Sequence, residues 1–342
     1  MTQQKDQTAA FGLNSTVFER YFPGIIASIT IAMAATFLSE HYGGPVMLFT
    51  LLLGMAFNFS TEKGGRCIDG IEFCSKRILR FGVALLGMRI SFTELNELGL
   101  RPILLVVTTV VMTILVGWAL ARVLGLRKNF GILTGSAVAI CGASAALAVS
   151  TALSKDSDSE RDTLFTVVGV TALSTLAMII YPVVVAVSGL DNFLAGVFLG
   201  ATIHDVAQVV GAGYMISEQT GDVATLVKLM RVAMLVPVVF VVAVLMRTAD
   251  SKSVGKASVP LFLIGFIVIM VCNNLLPIPQ VIRDSVVDLS SWCLVTAIAA
   301  LGMKTSFKRL STVGGKAVSL ILLETLFLAI VVMVALHFWG HS

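Results

Sequence analysis

The sequence predicts an all-α polytopic membrane protein: about eleven transmembrane helices in two inverted five-helix repeats, with discontinuous helices. The first observation is composition, because only 13% of the 342 residues are charged and 57% are hydrophobic, whereas soluble domains carry about 25% charged residues. The second is the mean hydropathy of +0.94, spread over apolar runs long enough to cross a bilayer. The third is a set of short motifs that recur in order in the two halves of the chain.

The spans follow a polar lead at residues 1–22, which we expect to lie in the cytoplasm. Residues 23–342 are predicted to form a single transmembrane transporter domain. Each predicted span is an apolar run bounded by charged or turn-forming residues, and the spans lie at 23–39, 45–59, 71–87, 100–120, 129–153, 163–188, 193–216, 223–246, 259–274, 286–303 and 317–338.

Lysine and arginine orient these spans, because loops on the cytoplasmic side of a membrane protein collect positive charge. With a cytoplasmic N-terminus, most of the 24 Lys and Arg residues fall on that side, and the C-terminus emerges outside. The net charge of +4 reflects this bias. No basic patch with interleaved aromatic residues indicates nucleic acid, and five cysteines without CxxC spacing predict neither a disulfide framework nor a zinc site. We expect no cofactor.

The repeats rest on four matches. "LLLGMAFN" (51–58) aligns with "VFLGATIH" (197–204), and "RILRFGVALL" (77–86) aligns with "KLMRVAMLVP" (228–237). Further along, Pro102 pairs with Pro260 and Gly142 with Gly302. Because five spans is an odd number, the two copies face opposite ways, as in secondary transporters with inverted repeats. The repeats cover about 43–189 and about 190–339.

A second alignment stays open beside this one. "ALLGMRISFTEL" (84–95) resembles "AALGMKTSFKRL" (299–310), which pairs span three with span ten. The five-span frame is preferred because its four matches occur in order along the chain.

Span five is rich in small residues around "AICGASAA" (139–146). One interpretation is close helix packing, since small side chains let backbones approach. The other is a broken helix whose freed backbone groups line a cavity at the bilayer midplane, where a helix N-terminus favours an anion. Cys141, Gly142 and Ser144 are the candidate residues, and Gly302 marks the corresponding position in span ten, which we expect to be broken too.

Span seven carries "GATIHDVAQVVGAG" (200–213), with three polar side chains at the centre of an apolar helix. His204 and Gln208 are four residues apart and share a helical face, whereas Asp205 points about 100° away. Ionisable groups inside a membrane indicate function by default. His204 or Asp205 is therefore a candidate carrier of a coupling proton, and a structural hydrogen-bonded pair is the alternative.

Basic side chains occur inside two spans. Arg77 and Lys228 suit snorkelling to the headgroups, and Lys228 also counts among the candidate residues of the substrate and ion pathway. Arg80 and Arg231 lie deeper, and their planar guanidinium groups make them candidates to bind an anion or Asp205. Glu324 in span eleven is a lone intramembrane carboxylate, which could bind a proton or pair with a basic group.

These motifs together resemble the YeiH family of bacterial inner-membrane proteins, described as sulfate exporters. The resemblance rests on "LLLGMAFN", "SKRILRFGVALLGMRIS", "AICGASAALA", "GATIHDVAQVVGAG", "VKLMRVAML" and "AALGMK", and it covers nearly the whole chain after the polar lead. The family is grouped with the sodium–proton antiporter and bile-acid symporter superfamily. The resemblance implies a panel domain, a core domain with two crossing broken helices, and a location in the bacterial inner membrane.

The sequence therefore predicts a secondary transporter that exports a small inorganic or organic anion such as sulfate, coupled to protons or sodium. Its expected partners are the anion, the coupling ion, the lipid bilayer and a second copy of the chain. Two alternatives remain: an intramembrane enzyme that uses His204 and Asp205 with Ser144 or Cys141, and a passive channel or sensor. We expect no enzyme, because neither HExxH nor GxSxG occurs.

Overall fold

The computed structural model describes residues 3–61, 65–93, 99–153, 158–246, 260–305 and 315–340, with side chains from residue 19 onward. Over these ranges the chain is helical and has no strand, which confirms the all-α class. The helices are α1 Gln3–Tyr42, α2 Val46–Ala56, α3 Ile68–Phe73, α4 Leu79–Leu85, α5 Leu100–Val123, α6 Lys128–Ala139, α7 Ala143–Ala152, α8 Ser159–Ser188, α9 Asn192–Thr202, α10 Val206–Ile216, α11 Glu218–Ala233, α12 Leu235–Leu245, α13 Leu261–Leu275, α14 Gln280–Lys304 and α15 Gly315–Gly340.

Within the described residues, six helical stretches are long and apolar enough to cross a membrane. Five shorter apolar helices accompany them, including α2, α7, α9 and α10. The chain is therefore a polytopic membrane protein, as the sequence predicts. The count of eleven spans and the repeat arrangement stay predictions.

Some predicted features lie outside the described residues. They are the start of span nine at 259, the loop at 154–157, and positions 94–95 and 306–310 of the second alignment.

Local sequence sets several helix ends. The Asp191 carboxylate accepts the Leu194 amide at 2.7 Å and begins α9, and the Ser217 hydroxyl accepts the Thr220 amide at 3.0 Å and begins α11. Short polar side chains at this position satisfy amides that the first helical turn leaves without partners.

The chain forms two compact units. The first comprises Met1–Met88 and Val271–Thr305, and the second comprises Arg89–Met270 and Ser306–Ser342. The first unit thus contains α1–α4 and α14, and the second contains α5–α12 and α15.

Small residues bring the helices of the first unit together. A Cβ atom on Gly54 of α2 would lie 2.5 Å from the Ala299 carbonyl oxygen and 3.0 Å from Gly302 Cα, both on α14. The Asn58 side-chain amide, just after α2, donates to the Met303 and Thr305 carbonyls at 2.6 and 2.9 Å. It thereby satisfies backbone groups at the C-terminal end of α14.

In the second unit, two predicted spans are interrupted and not continuous. Span five divides into α6 and α7, and span seven divides into α9 and α10. The expected break in span five is present. The continuous helix predicted for span seven is wrong, because Ile203 and Asp205 adopt extended backbone angles between α9 and α10.

The predicted break in span ten is also wrong. That span is the unbroken helix α14, which runs through Gly302 to Lys304. Its residues Leu294–Leu301 are mostly good helix formers, and no glycine within it has a positive φ. Gly302 serves close packing against α2 and not a change of backbone direction.

Candidate functional site

Two breaks meet inside the second unit. The first lies between α6 and α7, where Gly142 takes a φ of 63° that other L-residues rarely adopt. The second lies between α9 and α10. A Cβ atom on Gly142 would lie 3.7 Å from the His204 carbonyl oxygen and 3.8 Å from Asp205 Cβ. The two interrupted segments therefore cross at these residues, and we call this place the crossing.

Lys228 on α11 holds the crossing through its ammonium group. Nζ donates to the carbonyl oxygens of Ile140 at 2.7 Å, Ile203 at 2.9 Å and His204 at 2.5 Å. These bonds use all three N–H groups of the side chain. They join one carbonyl of the first break to two of the second.

Arg231, one turn further along α11, binds the same two helix ends. Nε donates to the Ala139 carbonyl at 2.7 Å and Nη2 donates to the Val138 carbonyl at 2.7 Å. Nη1 donates to the Gly200 and Ile203 carbonyls, both at 3.1 Å. Four of the five guanidinium N–H groups are thus engaged by main-chain oxygen.

Both cations are fully buried. Lys228 therefore does not snorkel to the interface, which corrects the interpretation drawn from the sequence. The physical reason is the negative end of a helix: α6 and α9 both stop inside the protein, and their last carbonyls need donors.

His204 lies in the break and not on a helical face. Its Nε2 atom is 2.9 Å from the Thr325 hydroxyl of α15, and that hydroxyl also donates to the Ile321 carbonyl at 2.7 Å. The imidazole is fully buried. It therefore connects the second break to the last helix.

Asp205 caps α10. Its carboxylate accepts the Val206 amide at 2.8 Å, and its own amide donates to the Ser174 hydroxyl of α8 at 3.0 Å. The side chain is half-buried. A carboxylate at this position complements the positive N-terminal end of the helix. The sequence-based expectation that Asp205 lies on a helical face is therefore wrong.

The remaining candidates of the second unit lie near these groups in sequence. Gln208, in the first turn of α10, is buried and donates to the Thr175 hydroxyl at 3.4 Å. Cys141 is buried in the first break, whereas Ser144 is exposed in the first turn of α7.

The charges at the crossing do not balance. Lys228 and Arg231 contribute two positive charges, and Asp205 contributes one negative charge, which interacts with Lys228. In addition, no side chain caps α7, which begins after Gly142, and Asp205, which lies beside Gly142, caps α10 instead. The crossing therefore has a surplus of positive charge.

Two predicted site residues belong to the other unit. Arg80 is exposed on α4, and Gly302 packs against Gly54 of α2. These two residues are therefore not among those that form the crossing, which lies in the second unit.

Sequence reasoning missed the hydroxyl groups of Ser174 and Thr325, which bind the second break, and of Thr175, which accepts from Gln208 in the first turn of α10. Isolated Ser and Thr in apolar helices usually bond to a carbonyl one turn back, so their sequence positions carry no distinct signal.

Comparison with known proteins identifies close relatives. A family model described as conserved hypothetical protein 698 matches residues 23–321. A UPF0324 membrane protein of Chlorobaculum tepidum is 53% identical over 341 residues, covering 97% of this chain and 95% of the relative. The UPF0324 membrane protein TauZ of Paracoccus denitrificans is 49% identical over 329 residues, covering 95% and 97%. No solved structure matches.

Proposed function

The chain belongs to the YeiH family, whose model is described as conserved hypothetical protein 698, and from this premise we propose that it is a secondary transporter. Its substrate is a small anion such as sulfate or a sulfonate-derived anion, which it exports across the bacterial inner membrane with a coupling proton or sodium ion.

The observation that carries this proposal is the positively charged crossing of two interrupted helices. Secondary transporters build substrate sites from discontinuous helices near the midplane, where helix N-termini point at anionic groups. Lys228 and Arg231 hold the carbonyl ends of α6 and α9, so the positive end of α7 remains for a ligand. An anion there would offset the surplus charge.

The lengths of the half-helices support a site near the midplane. Both α9 and α10 have 11 residues, and α6 and α7 have 12 and 10. At about 1.5 Å per residue, each extends roughly 15–18 Å, which is about half of a hydrocarbon core of about 30 Å. A break between two such halves falls near the centre of the bilayer.

One local match supports the inverted repeat. Gly54 in α2 and Gly200 in α9 both approach a neighbouring helix closely, and the two helices end at Ala56 and Thr202, which are corresponding positions of the two aligned segments. The presence of discontinuous helices is the second feature in favour of the sodium–proton antiporter and bile-acid symporter superfamily, but the two that cross are spans five and seven and not the repeat mates five and ten.

In this proposal the residues at the crossing have different tasks. The positive end of α7 at Gly142 and Ser144 receives the anion, and Lys228 and Arg231 hold the neighbouring C-terminal ends of α6 and α9. Arg231 retains one N–H group for substrate beyond its four main-chain bonds. His204 and Asp205 carry or gate the coupling ion.

Counterflow in proteoliposomes tests the proposal. Purified protein is reconstituted with unlabelled sulfate inside, and radiolabelled sulfate, thiosulfate, phosphate and small sulfonates are offered outside. We expect saturable accumulation of at least one labelled anion, which a passive channel does not produce. Absence of uptake across the panel, with protein that is folded by size-exclusion chromatography, would falsify the anion assignment. Covalent labelling of Cys141 or Ser144 by an activity-directed probe would favour the intramembrane enzyme.

A further inference from the structure

A buried carboxyl group lies in the second unit outside the crossing. Glu324, on α15, is fully buried. The Thr134 hydroxyl of α6 donates to its Oε1 atom at 2.7 Å, and its Oε2 atom has no hydrogen-bond partner among the described residues. The same oxygen also lies close to α5, where a Cβ atom on Gly117 would be 2.5 Å from Oε1.

No cation of the described residues compensates this carboxyl. The ion pairs within the described ranges do not include Glu324. On α5, Arg101 and Arg122 lie over the rings of Trp339 and Trp118. The other titratable or charged groups on the helices packed against α15, and on α15 itself, are Lys128, Glu160, Arg161, Asp162, Tyr181, Asp191, His204, Lys316 and His337. All of them except Tyr181, whose phenol lies against Phe198, are near helix ends or in the break.

An ionised carboxylate in these surroundings is unfavourable. Burial of a charge without a partner carries a large free-energy penalty, and a single neutral hydroxyl offsets only a small part of it. A bound proton removes the charge and gives the Oε2 atom a hydrogen. A hard metal ion is a poorer fit, because such ions collect about six oxygen ligands and the described contacts supply the carboxyl and one hydroxyl.

We propose that Glu324 is a proton-binding site: its carboxyl is protonated in this conformation and releases the proton in the alternate conformation of the transport cycle. The coupling role rests on the proposed transport function, whereas proton binding itself does not. When the proton leaves, Glu324 becomes a carboxylate and the proton passes to water.

The position of Glu324 allows a proton there to influence both breaks. Thr134 lies on α6, the half-helix that ends at the first break. The next residue on α15 is Thr325, whose hydroxyl lies 2.9 Å from His204 Nε2 in the second break. Ionisation of Glu324 would therefore act on the two segments that form the crossing.

Infrared spectroscopy of the purified full-length protein tests proton binding without any transport assay. Glu324→Gln preserves the size and the acceptor for Thr134, and exposed Glu160→Gln on α8 is the matched control. At neutral pH we expect the carbonyl stretch of a protonated buried carboxylic acid in the wild type and in Glu160→Gln, but not in Glu324→Gln. A wild type without this band, or a band that persists in Glu324→Gln, overturns the proposal.

Proteoliposomes test the coupling role. In Glu324→Gln we expect the rate of sulfate flux driven by a pH gradient, divided by the rate of sulfate counterflow, to fall about tenfold, with the ratio unchanged in Glu160→Gln. If Glu324→Gln lowers the sulfate flux driven by a sodium gradient and leaves the flux driven by a pH gradient unchanged, the coupling role is overturned. If the wild type shows neither counterflow nor driven flux, the proposed function fails, and the infrared result still decides whether Glu324 binds a proton.

Discussion

At the residue scale, Lys228 and Arg231 are buried cations whose partners are mainly main-chain carbonyls. Lys228 makes three such bonds and Arg231 makes four. A carbonyl buried without a donor costs about 1–3 kcal/mol. The two side chains therefore stabilise an interruption of two helices that backbone hydrogen bonding alone would not support.

Lys228→Met should destabilise the protein by about 3–5 kcal/mol, since it leaves the buried Ile140 and His204 carbonyls without their donor and leaves the Ile203 carbonyl with Arg231 alone. The thermal unfolding midpoint of the detergent-solubilised protein measures this change. Lys76→Met is the control, because Lys76 forms an exposed ion pair with Glu72 and such pairs contribute less than about 1 kcal/mol. An unchanged midpoint in Lys228→Met would show that another group holds the crossing.

Asp205→Asn should lower the apparent KM for sulfate about tenfold, because it removes a negative charge beside the anion site while asparagine still caps α10. Initial rates of labelled sulfate uptake measure the change. Asp191→Asn is the matched control, since Asp191 caps α9 in the same way. If Asp205→Asn and His204→Ala both leave transport and its pH dependence intact, the pair is structural and the assignment of these site residues is wrong.

At the element scale, spans five, seven and ten are all rich in small residues, but the first two are interrupted and the third is a continuous helix. Span five breaks at Gly142 because its neighbours offer donors for the freed carbonyls, as does span seven at Ile203. Span ten continues through Gly302 because that glycine packs against Gly54. A break in an apolar segment therefore depends on a partner helix that supplies donors, here α11.

Gly142→Ala and Gly43→Ala form a matched pair that separates backbone strain from the geometry of the crossing. Both glycines have a positive φ, 63° and 71°, and at neither would a Cβ atom meet an atom closer than 3.7 Å. We expect each substitution to lower stability by about 1–2 kcal/mol. Sulfate transport should fall about tenfold more in Gly142→Ala, because the strain shifts the end of α7. Equal transport rates in the two variants would contradict an anion site at that end.

At the scale of the whole molecule, the described helices fall into two compact units that differ in construction. The first is joined by glycine contacts such as Gly54 with Gly302, and the second contains both interrupted segments and the fully buried Lys228, Arg231 and Glu324. Buried ionisable groups in a membrane protein usually mark its substrate and ion pathway. The second unit is thus the part of the molecule where substitutions should alter transport most directly.

The orientation of the whole chain is testable with reporters. Positive charge in alternate loops predicts a cytoplasmic N-terminus and, with eleven spans, a periplasmic C-terminus. We expect an alkaline phosphatase fused to the C-terminus to be active and a fluorescent protein fused there to be dark, whereas an N-terminal fluorescent fusion should be bright. A bright C-terminal fluorescent fusion would require an even number of spans.

The sequence by itself determined the membrane class and most of the helices, and it showed that "IHDVAQ" places ionisable residues in an apolar span. It offered the break at Gly142 as one of two interpretations of span five. Composition and periodicity reflect burial in lipid, which acts on each segment separately, so they predict these features well. The sequence also pointed to Lys228, Arg231, His204 and Asp205 as unusual residues.

Only the tertiary structure decided how those residues are used. The second break lies in span seven and not in span ten. Lys228 donates hydrogen bonds to three buried carbonyls, whereas the sequence suggested that its side chain extends to the headgroups. Whether a helix breaks depends on donors that reach its freed carbonyls from another helix. Such contacts join residues far apart in the chain, and no local pattern of side chains specifies them.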